Sequence, residues 1–177
     1  MKKSKQSILA YAAGMVDGEG CICIYKKKIR NKIVDLRKNF HLQVIVTQKD
    51  GRIIDWLIGN FGGSAYLHWK GSPTGYSHEW VLNHTNALKF LKQIEPFLIY
   101  KKNQAQIGIR FQERINTAGN RYKLTDHELE IRNSLYEEIK RLKIVKVYSK
   151  QPNIQNKVNN AALTTKCDNI RKDDAIV

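Results

Sequence analysis

The chain has 177 residues, 42% of them hydrophobic, which suits one globular domain with a buried core or one domain plus an extension. It carries 31 Lys and Arg against 16 Asp and Glu, a formal net charge of +15, so the composition favours DNA, RNA or an anionic membrane as partner. No apolar run reaches the length of a membrane-spanning helix, and the polar start, Lys2–Lys5, is unlike an export signal. We therefore expect an intracellular protein with no membrane partner.

The first predicted element is a helix over residues 7–18, with Ser7 as its N-cap. Small residues in its middle let another backbone approach closely: Ala10, Ala12, Ala13 and Gly14. Gly18 and Gly20 are expected to adopt the unusual backbone angles of a sharp stop. Between them lies Glu19, an acid in a strongly basic chain. A carboxylate at a helix end beside basic surface suggests a metal site that faces a phosphate backbone.

Two strands are predicted next, joined by a long basic loop. Residues 21–28 have the pattern of a strand, and the loop covers residues 26–38. In the second strand one face is apolar: Phe40, Leu42, Val44 and Val46. The other face is mixed: Asn39, His41, Gln43 and Ile45. A period of two with one apolar face predicts a sheet that is covered on one side only.

A helix and a second hairpin follow. Asp50 is a suitable N-cap for a helix that runs to about Asn60. The hairpin is predicted from strands Ser64–Lys70 and Ser77–Leu82, with a Gly- and Pro-containing turn between them.

The remaining predicted elements are helices. Thr85 is a suitable N-cap for a helix that ends before Pro96. Residues 101–113 alternate like a strand, but their Lys, Gln and Ala content favours a helix, which we predict. Thr125 opens a capping box and a last helix that runs to about Leu142.

The order helix, hairpin, helix, hairpin, helices predicts an α+β domain over residues 1–149. Its helices pack on one face of a curved four-stranded antiparallel sheet, and the other face is open, polar and basic. Residues 150–177 are rich in Asn, Lys and Thr and are predicted to form a loosely packed or disordered tail.

Several other functional classes find no support in the sequence. The Cys21 and Cys23 pair lacks the further ligands of a zinc site, and three cysteines make no disulfide framework. Phosphate-binding glycine loops and the signatures of serine or cysteine nucleophiles are missing.

Residues 12–20, AAGMVDGEG, resemble the signature helix of the LAGLIDADG homing endonucleases. Residues 46–49, followed by Arg52 and Trp56, resemble the end of that family's second strand and its following helix. Residues 96–105 resemble its third landmark. The landmarks occur in order, and the αββαββα arrangement agrees. The resemblance is to the single-motif, homodimeric group known from chloroplast introns.

The resemblance implies a divalent metal at the scissile phosphate, held by Glu19 and the carbonyl of Gly18. It implies Mg²⁺, for which Mn²⁺ substitutes, and glutamate is as hard an oxygen ligand as the family's commoner aspartate. Asp17 is structural by the same resemblance. Because the chain has one motif, it implies a homodimer. The predicted interface residues are Tyr11, Ala12, Gly14 and Met15.

Three further residues acquire catalytic roles from the resemblance. Gln48 orders water near the nucleophile, Lys101 stabilises developing charge, and Arg52 belongs to the same solvent network. Three of the site residues have a plainer alternative role. Gln48 is then an ordinary strand-end residue, Lys101 a surface phosphate contact, and Glu19 a helix-terminal carboxylate without a ligand.

The open sheet face is the expected DNA-reading surface, lying in the major groove. The alternation of each strand selects the candidate base contacts: Cys23, Tyr25, Lys27, Ile29, Asn39, His41, Gln43, Ile45, Tyr66, His68, Lys70 and Glu79. Basic residues of the first hairpin suit phosphates: Lys26, Lys28, Arg30, Lys32, Arg37 and Lys38. The alternative is a sheet face that is merely solvated.

Together these features predict a homodimeric, metal-dependent DNA endonuclease. It is expected to cut a long pseudo-palindromic site across the minor groove and to leave 3′ overhangs. One alternative is a maturase that binds intron RNA, and another is a DNA-binding regulator that does not cleave. The presence of Glu19, Gln48 and Lys101 together favours the nuclease.

Overall fold

The computed structural model describes residues 4–26, 40–69, 75–118 and 125–143. The helices are α1 (Lys5–Glu19), α2 (Gly51–Phe61), α3 (His84–Ile94), α4 (Lys102–Ala118) and α5 (Asp126–Arg141). The strands are β1 (Gly20–Lys26), β2 (Phe40–Gln48), β3 (Ser64–Trp69) and β4 (Tyr76–Asn83). Within these ranges no helix is both long and apolar enough to cross a bilayer. The predicted tail, residues 150–177, lies outside the described residues.

The four strands form one antiparallel sheet in the order β1-β2-β4-β3. Val44 of β2 lies between Ile22 of β1 and Leu82 of β4, and all three side chains are buried beneath the helices. The predicted inward face of β2 is confirmed, because Phe40 through Val46 at every second position are buried. The α+β architecture and the αββαββα order are therefore confirmed.

Gly20 joins α1 to β1 without an unusual backbone conformation. Its φ and ψ are −83° and 162°, which any residue adopts, and Gly18 lies within the helix, so the angles predicted for both glycines were wrong. The constraint at Gly20 is space: a Cβ there would lie 2.7 Å from the Cα and the carbonyl oxygen of Val16. Glycine lets the strand leave the helix immediately after Glu19.

Two predicted helix caps differ from the structure. Helix α1 begins at Lys5, two residues earlier than predicted, because Ser4 rather than Ser7 is the N-cap and its Oγ accepts a hydrogen bond from the amide of Ser7. Helix α3 begins at His84, and Asn83 rather than Thr85 occupies the N-cap position without a side-chain capping bond. The Asn83 oxygen instead accepts a 2.9 Å hydrogen bond from Gln43 on β2.

The helix predicted over residues 101–113 is confirmed, and α4 runs from Lys102 to Ala118. Its buried side chains include Ile107 and Phe111. At Gly108 the helix approaches the sheet so closely that a Cβ would lie 2.9 Å from Leu42 Cδ1. A small residue is therefore needed at the centre of this contact.

The capping of α5 was predicted correctly and is testable. Thr125 accepts a 3.2 Å hydrogen bond from the Glu128 amide, which has no partner within the helix. We expect Thr125→Ala to lower the free energy of unfolding by about 1 kcal/mol in urea denaturation. Thr117→Ala, in the last turns of α4, removes an exposed hydroxyl without a capping role and is the control. Equal losses in the two variants would contradict the capping assignment.

Candidate active site

The end of α1 places Glu19 at an exposed corner of the fold, directly before the first strand. One face of the helix packs into the core through Leu9, Ala12, Ala13 and Val16. Tyr11 and Gly14 are exposed, and Met15 is half-buried. Ala12 is therefore corrected: it belongs to the core of its own protomer and is not available to a second copy.

Asp17 and Lys101 join the end of α1 to the turn before α4. The Asp17 carboxylate accepts hydrogen bonds from three successive backbone amides, those of residues 99–101. In return, Lys101 Nζ donates to the carbonyl oxygens of Val16 and Asp17. The predicted Lys101 thus lies at the same helix end as Glu19, although 82 positions separate them in the sequence.

Gln48 is the last residue of β2 and lies at the end of the sheet where α1 meets β1. Gly20 pairs with Val46, so the antiparallel register brings the last residues of β2 alongside the end of α1. Gln48 is partly exposed and pairs with His78 of β4. The end of β2 that carries Gln48 therefore lies beside the corner that carries Glu19.

Arg52 lies at the start of α2 and is bound to the residue that caps this helix. Its Nε lies 3.0 Å from both carboxylate oxygens of Asp50. This hydrogen bonding lowers the pKa of the Asp50 carboxyl to about 2. Because that pKa is below its ordinary value of 3.8, the contribution of the pair to stability is complete above that value and is lost as the pH falls through about 2. At neutral pH, Arg52 is held by Asp50.

The donor atoms at the helix end suit a hard divalent cation. Glu19 offers a carboxylate and Gly18 a backbone carbonyl, the oxygen ligands that Mg²⁺ and Ca²⁺ prefer. Among the described residues of one chain, no three His, Cys, Asp or Glu side chains gather into a metal-binding group. A cation here would need further ligands from DNA, from water or from a second copy.

The outer sheet face carries aromatic side chains that were predicted as base contacts. The ring centroids of Tyr25 and His41 are 5.1 Å apart, and His41 lies 4.8 Å from His84 at the start of α3. Tyr66 and His68 lie together on β3, with centroids 6.3 Å apart. Burial lowers the pKa of His84, which favours its neutral form. These rings offer flat surfaces and hydrogen-bonding edges to a partner.

Four other predicted base contacts are buried, and two of them are corrected. Cys23 and Ile45 are 0% and 3% exposed, because they pack with Val81 in a small apolar cluster across neighbouring strands. Gln43 and Glu79 are also buried but polar. The Gln43 amide is bonded to Asn83, and Glu79 Oε1 lies 3.6 Å from His68 Nε2. The remaining predicted positions lie outside the described residues: Lys27, Ile29, Asn39 and Lys70.

A pair of lysines at the sheet edge includes one that sequence reasoning missed. Lys26 Nζ lies 4.6 Å from the ring centroid of Tyr136, and Lys140 Nζ lies 5.0 Å from the same centroid. Glu137 lies 3.7 Å from Lys140. In the sequence, Lys140 is distinguished only by its place in the last turn of α5. No sequence pattern indicates that it lies over the same ring as Lys26 of β1.

A sequence relationship to a curated protein decides the family. The chain is 32% identical over 119 residues to the DNA endonuclease I-CreI of Chlamydomonas reinhardtii, covering 66% of this chain and 69% of that relative. The chain belongs to the LAGLIDADG homing endonuclease family. The resemblance predicted from residues 12–20 is thus confirmed, although no protein-family model matches the sequence.

Solved LAGLIDADG homing endonucleases share the fold. I-CvuI, in complex with the I-CreI target, is 20% identical with a TM-score of 0.63, covering 80% of this chain and 85% of its own. The archaeal intron-encoded enzyme I-Vdi141I, complexed with DNA, is 18% identical with a TM-score of 0.63 over 84% and 91%. I-SmaMI, bound to cleaved DNA, is 17% identical with a TM-score of 0.59 over 81% of this chain and 47% of its own.

Proposed function

We propose that this LAGLIDADG protein is a site-specific DNA endonuclease that works as a metal-dependent homodimer. The observation that carries the proposal is the junction of α1 and β1. There an exposed carboxylate, Glu19, ends the family's signature helix, and Lys101 is bound to the same helix end. I-CreI, which is 32% identical, is a DNA endonuclease, and we place this protein inside the cell because its proposed target is the DNA of its host.

The homodimer is supported by the exposed face of α1 and its surroundings. A Cβ at Gly14 would have no neighbour within 4 Å, so a second helix has room to approach there. Large apolar side chains are exposed nearby on the turn bound to α1: Ile99 is 91% exposed and Tyr100 is 59% exposed. Exposed apolar surface of this kind marks interaction sites. This fold also aligns with 47% of the I-SmaMI chain, so that chain is long enough to contain the fold twice.

In the proposed mechanism, Glu19 and the Gly18 carbonyl hold Mg²⁺, for which Mn²⁺ substitutes. A bound divalent cation supplies Lewis-acid stabilisation of the phosphate charge. Gln48 orients water on the attacking side through its amide. Lys101 contributes positive charge beside the reacting phosphate and fixes the end of α1, and Arg52 extends the polar network from α2. In a two-fold symmetric dimer, each DNA strand is served by the Glu19 carboxylate of one protomer.

DNA binding is assigned to the outer sheet face, lying in the major groove. Its exposed or partly exposed readers are Tyr25, His41, Tyr66 and His68, and Gln43 and Glu79 offer buried polar groups between them. The dimer's two-fold symmetry implies a pseudo-palindromic site. Phosphates that face each other across the minor groove are offset toward the 3′ ends of their two strands. Cuts at such phosphates leave short 3′ overhangs, which we therefore expect.

The test is to sequence the cleavage products of a large genomic or randomised DNA pool, with Mg²⁺, with Mn²⁺ and with chelator. We expect metal-dependent double-strand cuts at one pseudo-palindrome with short 3′ overhangs. Tight, salt-sensitive DNA binding without cutting would instead indicate a regulator. Preferential binding of structured intron RNA would indicate a maturase.

The Lys26 and Lys140 pair yields a prediction for backbone binding. Replacing both lysines with glutamine removes two candidate phosphate contacts and leaves the base readers in place. Because the proposed dimer carries the pair twice, the slope of log affinity against log salt concentration should fall in magnitude by about 4, with a similar loss on every DNA sequence. Binding isotherms at several salt concentrations measure it.

The matched control is the double variant Lys89→Gln, Lys92→Gln. Both lysines are exposed on α3, which packs against the central strands β2 and β4, whereas Lys26 and Lys140 lie at the β1 edge of the sheet. The control should leave the salt slope unchanged. Equal slopes in wild type and in the Lys26 and Lys140 variant would show that this pair does not contact phosphate.

A further inference from the structure

The end of α1 and the turn before α4 bind each other through both a carboxylate and an ammonium group. Asp17 Oδ2 accepts from the amides of Ile99 at 2.8 Å and Tyr100 at 3.2 Å, and Oδ1 accepts from Lys101 at 2.8 Å. Successive amides that converge on one carboxylate form an anion-binding nest. A carboxylate that receives three such bonds is firmly fixed in place.

The contact also neutralises two opposed helix ends. Lys101 Nζ donates to the carbonyls of Val16 and Asp17, which lie at the negative end of α1. The Lys101 carbonyl accepts from Ala105, so the Asp17 carboxylate lies at the positive end of α4. Each helix therefore supplies the charge that the other helix end favours, and Glu19 follows two residues after Asp17.

The same turn carries the exposed apolar pair, Ile99 and Tyr100. Both amides are bound to Asp17, so this one carboxylate sets how the pair is presented. The Tyr100 ring centroid lies 5.4 Å from Lys101 Nζ, which connects the pair to the ammonium group. Movement of the turn would therefore move Lys101 and the end of α1 together.

We infer that Asp17 is a positioning residue that couples the dimer contact to the metal-binding end of α1. The inference rests on the proposed function, in which Glu19 binds the metal and Ile99 and Tyr100 meet the second copy. Asp17 itself is not a ligand. It fixes the backbone that carries Glu19 and the turn that carries Lys101, as residues outside a ligand set commonly do.

The test compares Asp17→Asn with wild type in three measurements. An asparagine has one acceptor oxygen where three amides donate, so amide hydrogen exchange at residues 99–101 should accelerate in the metal-free protein. The Mg²⁺ concentration for half-maximal cleavage should rise by about 10-fold to 100-fold. DNA affinity in Ca²⁺ should stay within about twofold, because the reading face is untouched. Asp126→Asn, at the start of α5, is the control and should change none of these.

Asp17→Glu guards against a variant that does not fold. It keeps the charge and both oxygens but displaces them by one methylene group, so we expect it to fold with a smaller rise in the Mg²⁺ requirement. A folded Asp17 variant with fast exchange at residues 99–101 and an unchanged Mg²⁺ requirement would overturn the inference and leave a purely structural role. If wild type cleaves without metal, the proposed function fails instead, so the two failures are distinct.

Discussion

Glu19→Gln is expected to stop DNA cleavage while leaving DNA binding in place. The substitution keeps the size of the side chain but removes the charge that holds a divalent cation at the end of α1. We expect single-turnover cleavage to slow by at least about 1,000-fold, which corresponds to about 4 kcal/mol of transition-state stabilisation. Affinity for the same DNA in Ca²⁺ should change little, because Glu19 lies at the edge of the reading face rather than on it.

The control for Glu19 is Glu130→Gln, an exposed carboxylate on α5 that belongs to no part of the proposed site. Both variants change the net charge by the same amount, so a general electrostatic effect on DNA binding would appear equally in both. Cleavage by Glu19→Gln at the wild-type rate would remove Glu19 from the mechanism. Loss of DNA binding in that variant alone would make Glu19 a binding residue.

Local rules were enough to predict most of the fold. The alternation from Phe40 to Val46 gave the buried face of β2 because each side of a strand meets one environment. Asp50 and Thr125 were predicted as helix caps from the sequence. In the structure each side chain accepts a hydrogen bond from an amide two or three residues later. Both partners of each interaction lie in the same short segment of the chain, so the local sequence is enough to predict the interaction.

Two further errors arose where a distant residue changed a local preference. Asn83 caps α3 with its backbone alone because its side chain is bonded to Gln43, 40 positions earlier. Cys23 and Ile45 alternate correctly, but contact with Val81 on a neighbouring strand buries them. Alternation identifies the face of a side chain and not its accessibility.

The site shows the same division. Glu19 was named from its place between two glycines at a helix end, and Gln48 and Lys101 were named through the resemblance. The bonds from Asp17 to residues 99–101 carry no signal in the sequence. They depend on the tertiary approach of α1 and the turn before α4. The exposed tip at Glu19 and the bound Lys101 are consequences of that approach.

Gly14→Gln is expected to separate the dimer without harming the protomer. A Cβ at Gly14 has open space around it, and glutamine is the better helix former, so the isolated protomer should gain up to about 1 kcal/mol. A side chain at a close helix contact costs about 1–3 kcal/mol, and symmetry makes the change count twice. The dimer dissociation constant should therefore rise at least about 30-fold. Sedimentation velocity measures it, and double-strand cleavage should return at protein concentrations high enough to restore the dimer.

Gly59→Gln is a matched control because Gly59 is also an exposed helical glycine with nothing within 4 Å of its Cβ. It should stabilise the protomer by a similar amount and leave the dimer and cleavage unchanged. If Gly14→Gln remained as dimeric and as active as this control, α1 would not be the interface. The contact between two α1 helices would then not bring the two Glu19 carboxylates together, and the proposed two-fold arrangement of the active site would fail.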